Sequence, residues 1–247
     1  MTDLANNHFE SLKGRCVLVT GGGSGLGAAL CEMLAAEGAS VAVTDVDEQR
    51  ATALARRLSE QGANVMACIM DVGVVADVRE GLDAVVRQFG KLDAIVNSAG
   101  VDVTAPIDDL DPDVWERVLR TNLTGPFLMA KLGKDRLSPG GHIVNVASTA
   151  ARRAWPNASA YHASKWGLMG LSHALHAELR SAGIKVSAVI AGGMRTPFLL
   201  DRFPDIDTNT LQDPANVARA VRFVLTQPEE TVVPEIMVLP MKETSWP

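Results

Sequence analysis

Tyr161 and Lys165 are the two residues of this 247-residue chain whose types and spacing point most directly to chemistry. At positions i and i+4 of a helix they project from one face, with Cβ atoms about 5–6 Å apart. An ammonium beside a phenol favours the phenolate, so we expect the pKa of Tyr161 to fall from about 10 toward neutrality. Tyr161 would then act as a general acid or base. The alternative is an ordinary helix pair, but Tyr161 is the only tyrosine in the chain.

Ser148 and Asn122 are two more polar residues at positions where chemistry is possible. Ser148 follows an apolar run at 142–146, which we predict to be a strand, and strand ends of a parallel sheet face the crevice in which ligands bind. A hydroxyl there can polarise a substrate oxygen, although it can also cap a helix or turn. Asn122 lies in a helical stretch although asparagine is a poor helix former, so we expect a buried amide that holds water or backbone.

A glycine-rich loop at 21–27 stands between an apolar run and a helical pattern. Glycines let the backbone turn tightly and approach a pyrophosphate, whose charge is favoured at a helix N-terminus. Asp45 ends the second predicted strand, where a carboxylate would bind an adenosine ribose and repel a 2′-phosphate. Asp47 fits better as the cap of the next helix. The loop and Asp45 therefore predict a dinucleotide site that prefers NAD to NADP.

Apolar β-branched runs alternate with amphipathic patterns along the chain, which predicts a parallel sheet covered by helices on both faces. We therefore predict one doubly wound α/β domain over 1–247, with a loose polar arm at 1–13. A break is expected near Gly125 and Pro126, because proline removes a backbone donor. The predicted strands are 16–20, 40–44, 64–69, 92–97, 142–146, 185–190 and 235–239, and the predicted helices are 26–38, 47–61, 74–89, 111–135 in two parts, 159–181 and 214–226.

The composition argues against several classes of partner and cofactor. A net charge of −6 and a pI near 5.4 argue against nucleic acid or an anionic membrane. We find no signal-peptide pattern and no apolar run of the about 18 residues that span a bilayer. The unclustered Cys16, Cys31 and Cys68 are interpreted as reduced core residues of a cytoplasmic protein. No metal is expected, because the histidines form no ligand pattern; those considered are His142, His162, His173 and His176.

In its motifs and their order the chain resembles the short-chain dehydrogenase/reductase family over about residues 13–240. The resemblance implies a Rossmann-type fold and an NAD cofactor, and it assigns catalysis to Asn122, Ser148, Tyr161 and Lys165, with Asn122 anchoring a proton relay to Lys165. The residues that match the family's cofactor-binding positions are Thr20, Gly21, Gly23, Ser24, Gly25, Leu26, Gly27, Asp45, Val46, Asp71, Val72, Asn97, Ser98, Ala99, Gly100, Tyr161, Lys165, Ala191, Gly192, Met194 and Thr196.

Two positions depart from the family's pattern. Ser98 replaces the second asparagine of the segment that follows the fourth strand. Ala191 replaces the proline that follows the sixth strand, and we expect this replacement to loosen the loop beside the nicotinamide.

Two stretches are expected to border the substrate. The stretch 194–213 matches the family's substrate lid, and its apolar residues Phe198, Leu199, Leu200 and Phe203 favour a mainly apolar substrate or simply pack the lid onto its own domain. Arg152, Arg153 and Trp155 lie between Ser148 and Tyr161. The two arginines could bind a carboxylate or phosphate, or they could form a solvated face.

The leading hypothesis for the function is NAD-dependent interconversion of a secondary alcohol and a ketone. A 3-oxoacyl-thioester reductase and a non-catalytic NAD-sensing protein are the alternatives. The apolar residues on more than one side of helix 159–181, among them Trp166 and Met169, indicate burial on several sides. The resemblance then implies a homotetramer, with a dimer next.

Overall fold

Seven short, apolar segments form the strands of one sheet, in the computed structural model that describes residues 11–243. The strand order is β3-β2-β1-β4-β5-β6-β7, and every neighbouring pair is parallel. All seven predicted strands are present, with β2, β5 and β6 extending further than predicted. The strands are β1 Cys16–Thr20, β2 Ser40–Asp45, β3 Val65–Ile69, β4 Ala94–Asn97, β5 His142–Ser148, β6 Lys185–Ala191 and β7 Glu235–Val238.

Helices cover both faces of the sheet, as predicted. Those of one face pack Leu30, Leu54 and Val221 against β1 and β2, while those of the other pack Leu82 and Met129 against β1 and β4. Because the strands are buried between two helical layers, they are nearly continuous apolar runs. The helices are α1 Gly25–Ala36, α2 Glu48–Glu60, α3 Val75–Phe89, α4 Pro112–Leu119, α5 Gly125–Gly133, α6 Ser159–Leu179, α7 Pro197–Leu200 and α8 Pro214–Leu225.

Three of the helices begin where an aspartate side chain caps them. Asp47, Asp111 and Asp213 each accept a hydrogen bond from a backbone N–H of the first turn of α2, α4 and α8. Such caps satisfy donors that have no partner inside the helix, typically at about 1 kcal/mol each. The interpretation of Asp47 as a helix cap is confirmed.

The predicted break at Gly125 and Pro126 is wrong. A π-helical turn, Arg120–Thr124, joins α4 to α5, and the N–H of Gly125 donates to the carbonyl of Arg120. Pro126 lies in the first turn of α5, where its missing N–H costs nothing. The widened turn therefore lets the chain continue as one helical rod, and it carries the fully buried Asn122.

The predicted loose arm at 1–13 lies outside the described residues for 1–10, and its last residues are fixed. Leu12 is fully buried in the core beneath the sheet face that carries α1. The N–H of Gly14 donates to the carbonyl of Gly38 at 2.9 Å. Residues 11–13 therefore belong to the folded body.

The sheet reverses its winding between β1 and β4. Strands are added on one side of β1 up to β3 and on the other side from β4 to β7. The loops that leave β1 and β4 therefore separate and open a crevice at the carboxyl edge, where ligands of such sheets bind. The glycine loop and Ser148 both lie at this edge, because each directly follows or ends a strand.

Candidate active site

The glycine loop after β1 passes so close to neighbouring backbone that side chains are excluded. A Cβ on Gly21, whose φ is +64°, would lie 2.7 Å from Ala99 Cα. A Cβ on Gly27 would lie 1.9 Å from the carbonyl oxygen of Gly21. These glycines leave the N-terminus of α1 open to the crevice, as a pyrophosphate requires. The cradle therefore fits a dinucleotide.

The same loop is anchored to β2 by its backbone. The N–H of Gly22 donates to the Thr44 carbonyl at 2.8 Å, and that of Gly23 donates to Asp45 Oδ2 at 2.9 Å. Ser24 occupies the N-cap position of α1 without capping it through its side chain, and Leu26 points into the core. Gly25, with a φ of +52°, faces Thr196 across the crevice.

Thr20 connects the glycine loop to the segment Asn97–Gly100. Its Oγ1 accepts hydrogen bonds from the N–H groups of Ser98 and Ala99, both at 3.1 Å. Asn97 donates through Nδ2 to Asn145 Oδ1 at 2.8 Å, which ties β4 to β5. The side chain of Ser98 is not needed for these contacts, because they use its backbone. The serine that departs from the family's pattern therefore leaves this segment intact.

Asp45 ends β2 and Asp71 closely follows the neighbouring β3, on the side of the crevice where adenosine is predicted to bind. Asp45 accepts N–H groups from Gly23 and, at 3.0 Å, from Asp47, which fixes its carboxylate at the loop. Asp71 accepts the N–H of Gly73 at 2.8 Å. Val46 is 70% exposed, whereas Val72 is buried beneath Gly125.

Tyr161 is buried at the start of α6, near Ser148. Burial raises the pKa of Tyr161 to about 12; the Ser148 hydroxyl and Arg202 oppose this rise, and Asp102 adds to it. The expected fall of this pKa toward neutrality is therefore wrong for the protein by itself. The helix spacing places Lys165 near the ring, but it gave no measure of burial, which penalises the phenolate.

Lys165 is also buried, one turn along α6 from Tyr161. Its Nζ donates to the Val146 carbonyl at 2.9 Å and lies 5.7 Å from the centre of the Tyr161 ring. Burial lowers the pKa of Lys165 to about 8, against the attraction of Asp102, which raises it. An ammonium has three donors. Val146 uses one of them and leaves two for a ligand in the crevice.

Asn122 holds backbone and helix α6 together. Its Oδ1 accepts the N–H of Val101 at 2.8 Å, and its Nδ2 donates to the Val101 carbonyl at 2.8 Å and to Ser164 Oγ at 3.0 Å. The expected buried amide is thus present. A Cβ on Gly100 would lie 3.6 Å from Asn122 Oδ1 and 3.9 Å from Lys165 Nζ, so the three residues converge at one point.

The loop after β6 is held more firmly than expected. Ala191 is the last residue of β6 and pairs with both Ser148 and Val238. The N–H of Gly192 donates to the carbonyl of Val238, the last residue of the adjacent β7, at 2.9 Å. The expected loosening at Ala191 is wrong, because the strand ladder continues through it.

Met194 and Thr196 continue this loop toward the glycine cradle. Met194 forms a parallel β-bridge with Gln212, and the N–H of Thr196 donates to the Met194 carbonyl at 2.9 Å. Thr196 is buried against Gly25. The lid therefore begins directly beside the cofactor cradle.

The lid covers Tyr161 with an aromatic side chain. The ring centres of Phe198 and Tyr161 lie 5.9 Å apart, and Phe198 remains 39% exposed. The guanidinium of Arg202 lies 4.3 Å from the Phe198 ring centre and forms an ion pair with Asp102. Neither charged residue was predicted from the sequence. The one available signal was that Asp102 closely follows the segment Asn97–Gly100.

Arg152 and Arg153 contact acidic residues near the C-terminus. Arg152 forms an ion pair with Glu235, and Arg153 lies 4.0 Å from Glu243. Glu243 also accepts the N–H of Gly193 at 3.3 Å. Both arginines therefore tie the loop after β5 to the chain end. Because each guanidinium faces a carboxylate, the solvated-face interpretation is wrong, and the binding of a substrate anion stays a prediction.

Three of the histidines have partners in separate parts of the fold. His142 and His162 are buried; His142 hydrogen-bonds with Ser187, and His162 bonds the Ala150 carbonyl and the Trp155 N–H. His173 contacts Glu235 at the surface. Over residues 11–243 no three metal-ligating side chains cluster, and no helix of that span is long and apolar enough to cross a bilayer.

The cysteines of the chain are free and buried, as predicted. Burial raises the thiol pKa of Cys16 to about 12 and raises those of Cys31 and Cys68. These thiols are therefore protonated core side chains.

A doubly wound parallel sheet with a glycine cradle at its switch point, and with serine, tyrosine and lysine beside that cradle, defines an α/β oxidoreductase that uses a nicotinamide cofactor. Residues 15–207 match the short chain dehydrogenase family. The chain belongs to this family, as its motifs predicted, and it is an oxidoreductase that acts on CH–OH groups.

Among its relatives is the D-threitol dehydrogenase of Mycolicibacterium smegmatis, 43% identical over 72% of this chain and 69% of the relative. The 3-ketoacyl-(acyl-carrier-protein) reductase of Brucella melitensis, complexed with NADH, superposes with a TM-score of 0.83 at 30% identity, over 94% of this chain and 100% of that one. A metagenomic short-chain oxidoreductase in complex with NADP superposes with a TM-score of 0.80 at 28% identity, over 94% and 99% of the two chains.

Proposed function

We propose that the protein interconverts a secondary alcohol and a ketone with NAD. The observation that carries this proposal is the position of Tyr161 beside the glycine cradle, with Ser148 close enough to lower the pKa of its phenol and Lys165 one helical turn away. A hydroxyl pair at a strand end can hold one substrate oxygen and exchange its proton. When bound, the nicotinamide supplies the hydride acceptor or donor.

Tyr161 exchanges the proton of the substrate oxygen, and Ser148 holds that oxygen. The raised pKa of Tyr161, about 12, keeps the phenol protonated at neutral pH, a state suited to proton donation in ketone reduction. Alcohol oxidation needs the phenolate, so its rate should rise with pH.

Lys165 has two roles in this proposal. Its two remaining donors bind the hydroxyls of the cofactor ribose, and its charge favours the phenolate of Tyr161. Asn122 fixes the backbone of Val101 and the helix that carries Lys165, and so positions the relay that returns the proton to solvent.

Asp45 supports NAD over NADP. Its carboxylate is fixed by two backbone N–H groups at the loop beside the adenosine position. A fixed negative charge there accepts ribose hydroxyls and repels a 2′-phosphate. In this proposal Asp71 and Val72 flank the adenine. The nicotinamide is flanked by Asn97–Gly100 and Ala191–Thr196.

A second candidate is a 3-oxoacyl-thioester reductase, which the NADH-bound reductase of Brucella melitensis favours by its structural similarity. The D-threitol dehydrogenase relative favours a polyhydroxylated alcohol instead. A non-catalytic NAD sensor is disfavoured, because Asn122, Ser148, Tyr161 and Lys165 are all present and lie together beside the cradle.

We also propose a homotetramer, with a dimer next. Trp166 on α6 is 52% exposed and Phe127 on the adjacent α5 is 42% exposed, and a contiguous exposed apolar patch marks an association surface, which we propose that these two helices form. Met169 is buried within its own subunit, so it does not add to this surface. Light scattering at micromolar concentration should give the tetramer mass, and a stable monomer would contradict the proposal.

The three free, buried cysteines fit a cytoplasmic location.

The experiment that tests the proposed reaction is a screen of secondary alcohols and ketones with each cofactor, followed by the absorbance of the reduced nicotinamide. Turnover of a secondary alcohol with NAD supports the proposal. Turnover restricted to 3-oxoacyl thioesters would favour the second candidate, and cofactor binding without any turnover would favour the sensor.

A further inference from the structure

Asp102 and Arg202 form an ion pair across the opening of the crevice, outside the groups assigned above. Asp102 belongs to the loop after β4, and Arg202 belongs to the lid just after α7. The side chain of Asp102 is 7% exposed and that of Arg202 is 22% exposed. Charged side chains are rarely buried this far without a reason, because their desolvation is costly.

The pair lies within reach of a ligand held by Tyr161. Arg202 packs its guanidinium on Phe198, donates from Nε to the Phe198 carbonyl at 2.9 Å, and Phe198 in turn packs on the Tyr161 ring. The charge of Asp102 acts on both Tyr161 and Lys165. Asp102 and Arg202 therefore border the same space as the reacting groups.

The chemistry assigned to Tyr161 does not account for Asp102. Its negative charge raises the pKa of Tyr161, but Arg202 lowers the same pKa, and Asp102 also raises the pKa of Lys165. The pair therefore has no one-sided benefit for the reacting groups, although a buried acid is costly to desolvate. A role in binding the substrate accounts for its presence.

The hydrogen-bonding capacity of the pair is only partly used. Asp102 Oδ1 accepts the N–H of Val103 at 2.7 Å, and Oδ2 contacts Arg202 Nη1. Nη1 is buried and has no aligned hydrogen bond to any described residue, although it lies in the ion pair. A carboxylate oxygen accepts more than one hydrogen bond, and Nη1 has donors to give.

We propose that Asp102 and Arg202 bind a second hydroxyl of the substrate, on the carbon next to the one that is oxidised. A hydroxyl can donate to Asp102 and accept from Arg202 at once, whereas a carboxylate or thioester oxygen only accepts and leaves Asp102 unmatched. The substrate class is then a polyhydroxylated alcohol. This inference rests on the proposed alcohol oxidation and names its specificity-determining residues.

The test compares a four-carbon tetritol with 2-butanol, which has the same carbon count and a single hydroxyl. Asp102→Asn keeps the shape of the side chain and removes its charge. We expect kcat/KM for the tetritol to fall by about tenfold or more, mainly through KM, because the site was built to bind a hydroxyl. The value for 2-butanol should change by less than about threefold. Asp108→Asn, at an exposed acid of the same loop, is the matched control and should change neither.

Two results would overturn the inference. An equal loss for both alcohols in Asp102→Asn would mean that the pair only latches the lid or tunes Tyr161. An unmodified enzyme that uses 2-butanol as well as the tetritol would mean that the second hydroxyl is not recognised.

A binding measurement separates failure of the proposed reaction from failure of this inference. If the unmodified protein oxidises neither alcohol, calorimetric titration of the NADH-saturated protein with the tetritol decides the inference alone. Tetritol binding that weakens by about tenfold in Asp102→Asn supports it. Absence of tetritol binding to the unmodified protein contradicts it.

Discussion

The two sides of the crevice are held together by different kinds of contact. On the cofactor side, the glycine loop, Thr20 and the segment Asn97–Gly100 meet through backbone groups and close glycine contacts. On the substrate side, the loops after β5 and β6 are fixed by the ion pairs of Arg152, Arg153 and Arg202. A backbone-built side tolerates almost no added side chain, whereas a side-chain-built side can change by single substitutions. The cofactor side is thus constrained by sterics, whereas the facing loops are held by replaceable charges.

Lys165 belongs to both sides, so its replacement should have the largest effect. Lys165→Met removes the charge that favours the phenolate and the donors assigned to the cofactor ribose. We expect kcat to fall by about 10²–10⁴-fold and NAD affinity to weaken as well. Steady-state kinetics and calorimetry measure the two effects. The control is Lys134→Met, at an exposed lysine paired with Asp135. Normal NAD affinity in Lys165→Met would assign this residue to the substrate side alone.

Asp45 tests the cofactor side by itself. The unmodified protein should bind NAD far more tightly than NADP, and Asp45→Ser should narrow this preference by about tenfold or more, because a repulsive charge is removed. Calorimetry with both cofactors measures the change. Asp47→Ser removes an equal charge two residues away and keeps a capping side chain, so it should leave the preference unchanged. Equal affinity of the unmodified protein for both cofactors would remove Asp45 from this role.

His142 tests the scaffold beneath both sides and should have the smallest effect on activity. Burial lowers the pKa of His142 to about 3, below its ordinary value. As the pH falls below about 6.5, the histidine becomes protonated in the unfolded chain while it stays neutral in the folded protein. The free energy of unfolding therefore decreases, by about 2 kcal/mol at pH 5 relative to neutral pH.

His142→Gln cannot gain this charge, and its amide can still bond Ser187. The fall in Tm between pH 7 and pH 5 should be smaller in this variant by several degrees, roughly 2–4 °C per kcal/mol. His173→Gln, at an exposed histidine, should behave like the unmodified protein. An unchanged fall in His142→Gln would mean that other groups carry the acid sensitivity.

The cofactor side was largely predictable because its requirements are local. Glycine spacing after an apolar run fixes a loop, and Asp45 at a strand end fixes a charge, so both could be identified from consecutive residues. All seven strands were found in the same way. The roles of the catalytic residues stay predictions.

The substrate side was not predictable from spacing. Asp102 and Arg202 meet only because the lid folds over the loop after β4, and Arg152 meets a glutamate 83 residues away. The predicted pKa of Tyr161 was wrong for a related reason, because the burial that raises it depends on the whole fold. The π-helical turn at Asn122 was missed because a proline signal suggested a break in the helix.

The central claim is that the hydroxyl of Tyr161 exchanges the proton of the substrate. Tyr161→Phe keeps the ring and its contact with Phe198 and removes only that hydroxyl. Steady-state kinetics of this variant should give a kcat lower by about 10²–10⁴-fold than that of the unmodified protein. Calorimetry on the same preparation should give a nearly unchanged NAD affinity. A Tyr161→Phe protein that keeps about a third or more of normal turnover would contradict the account.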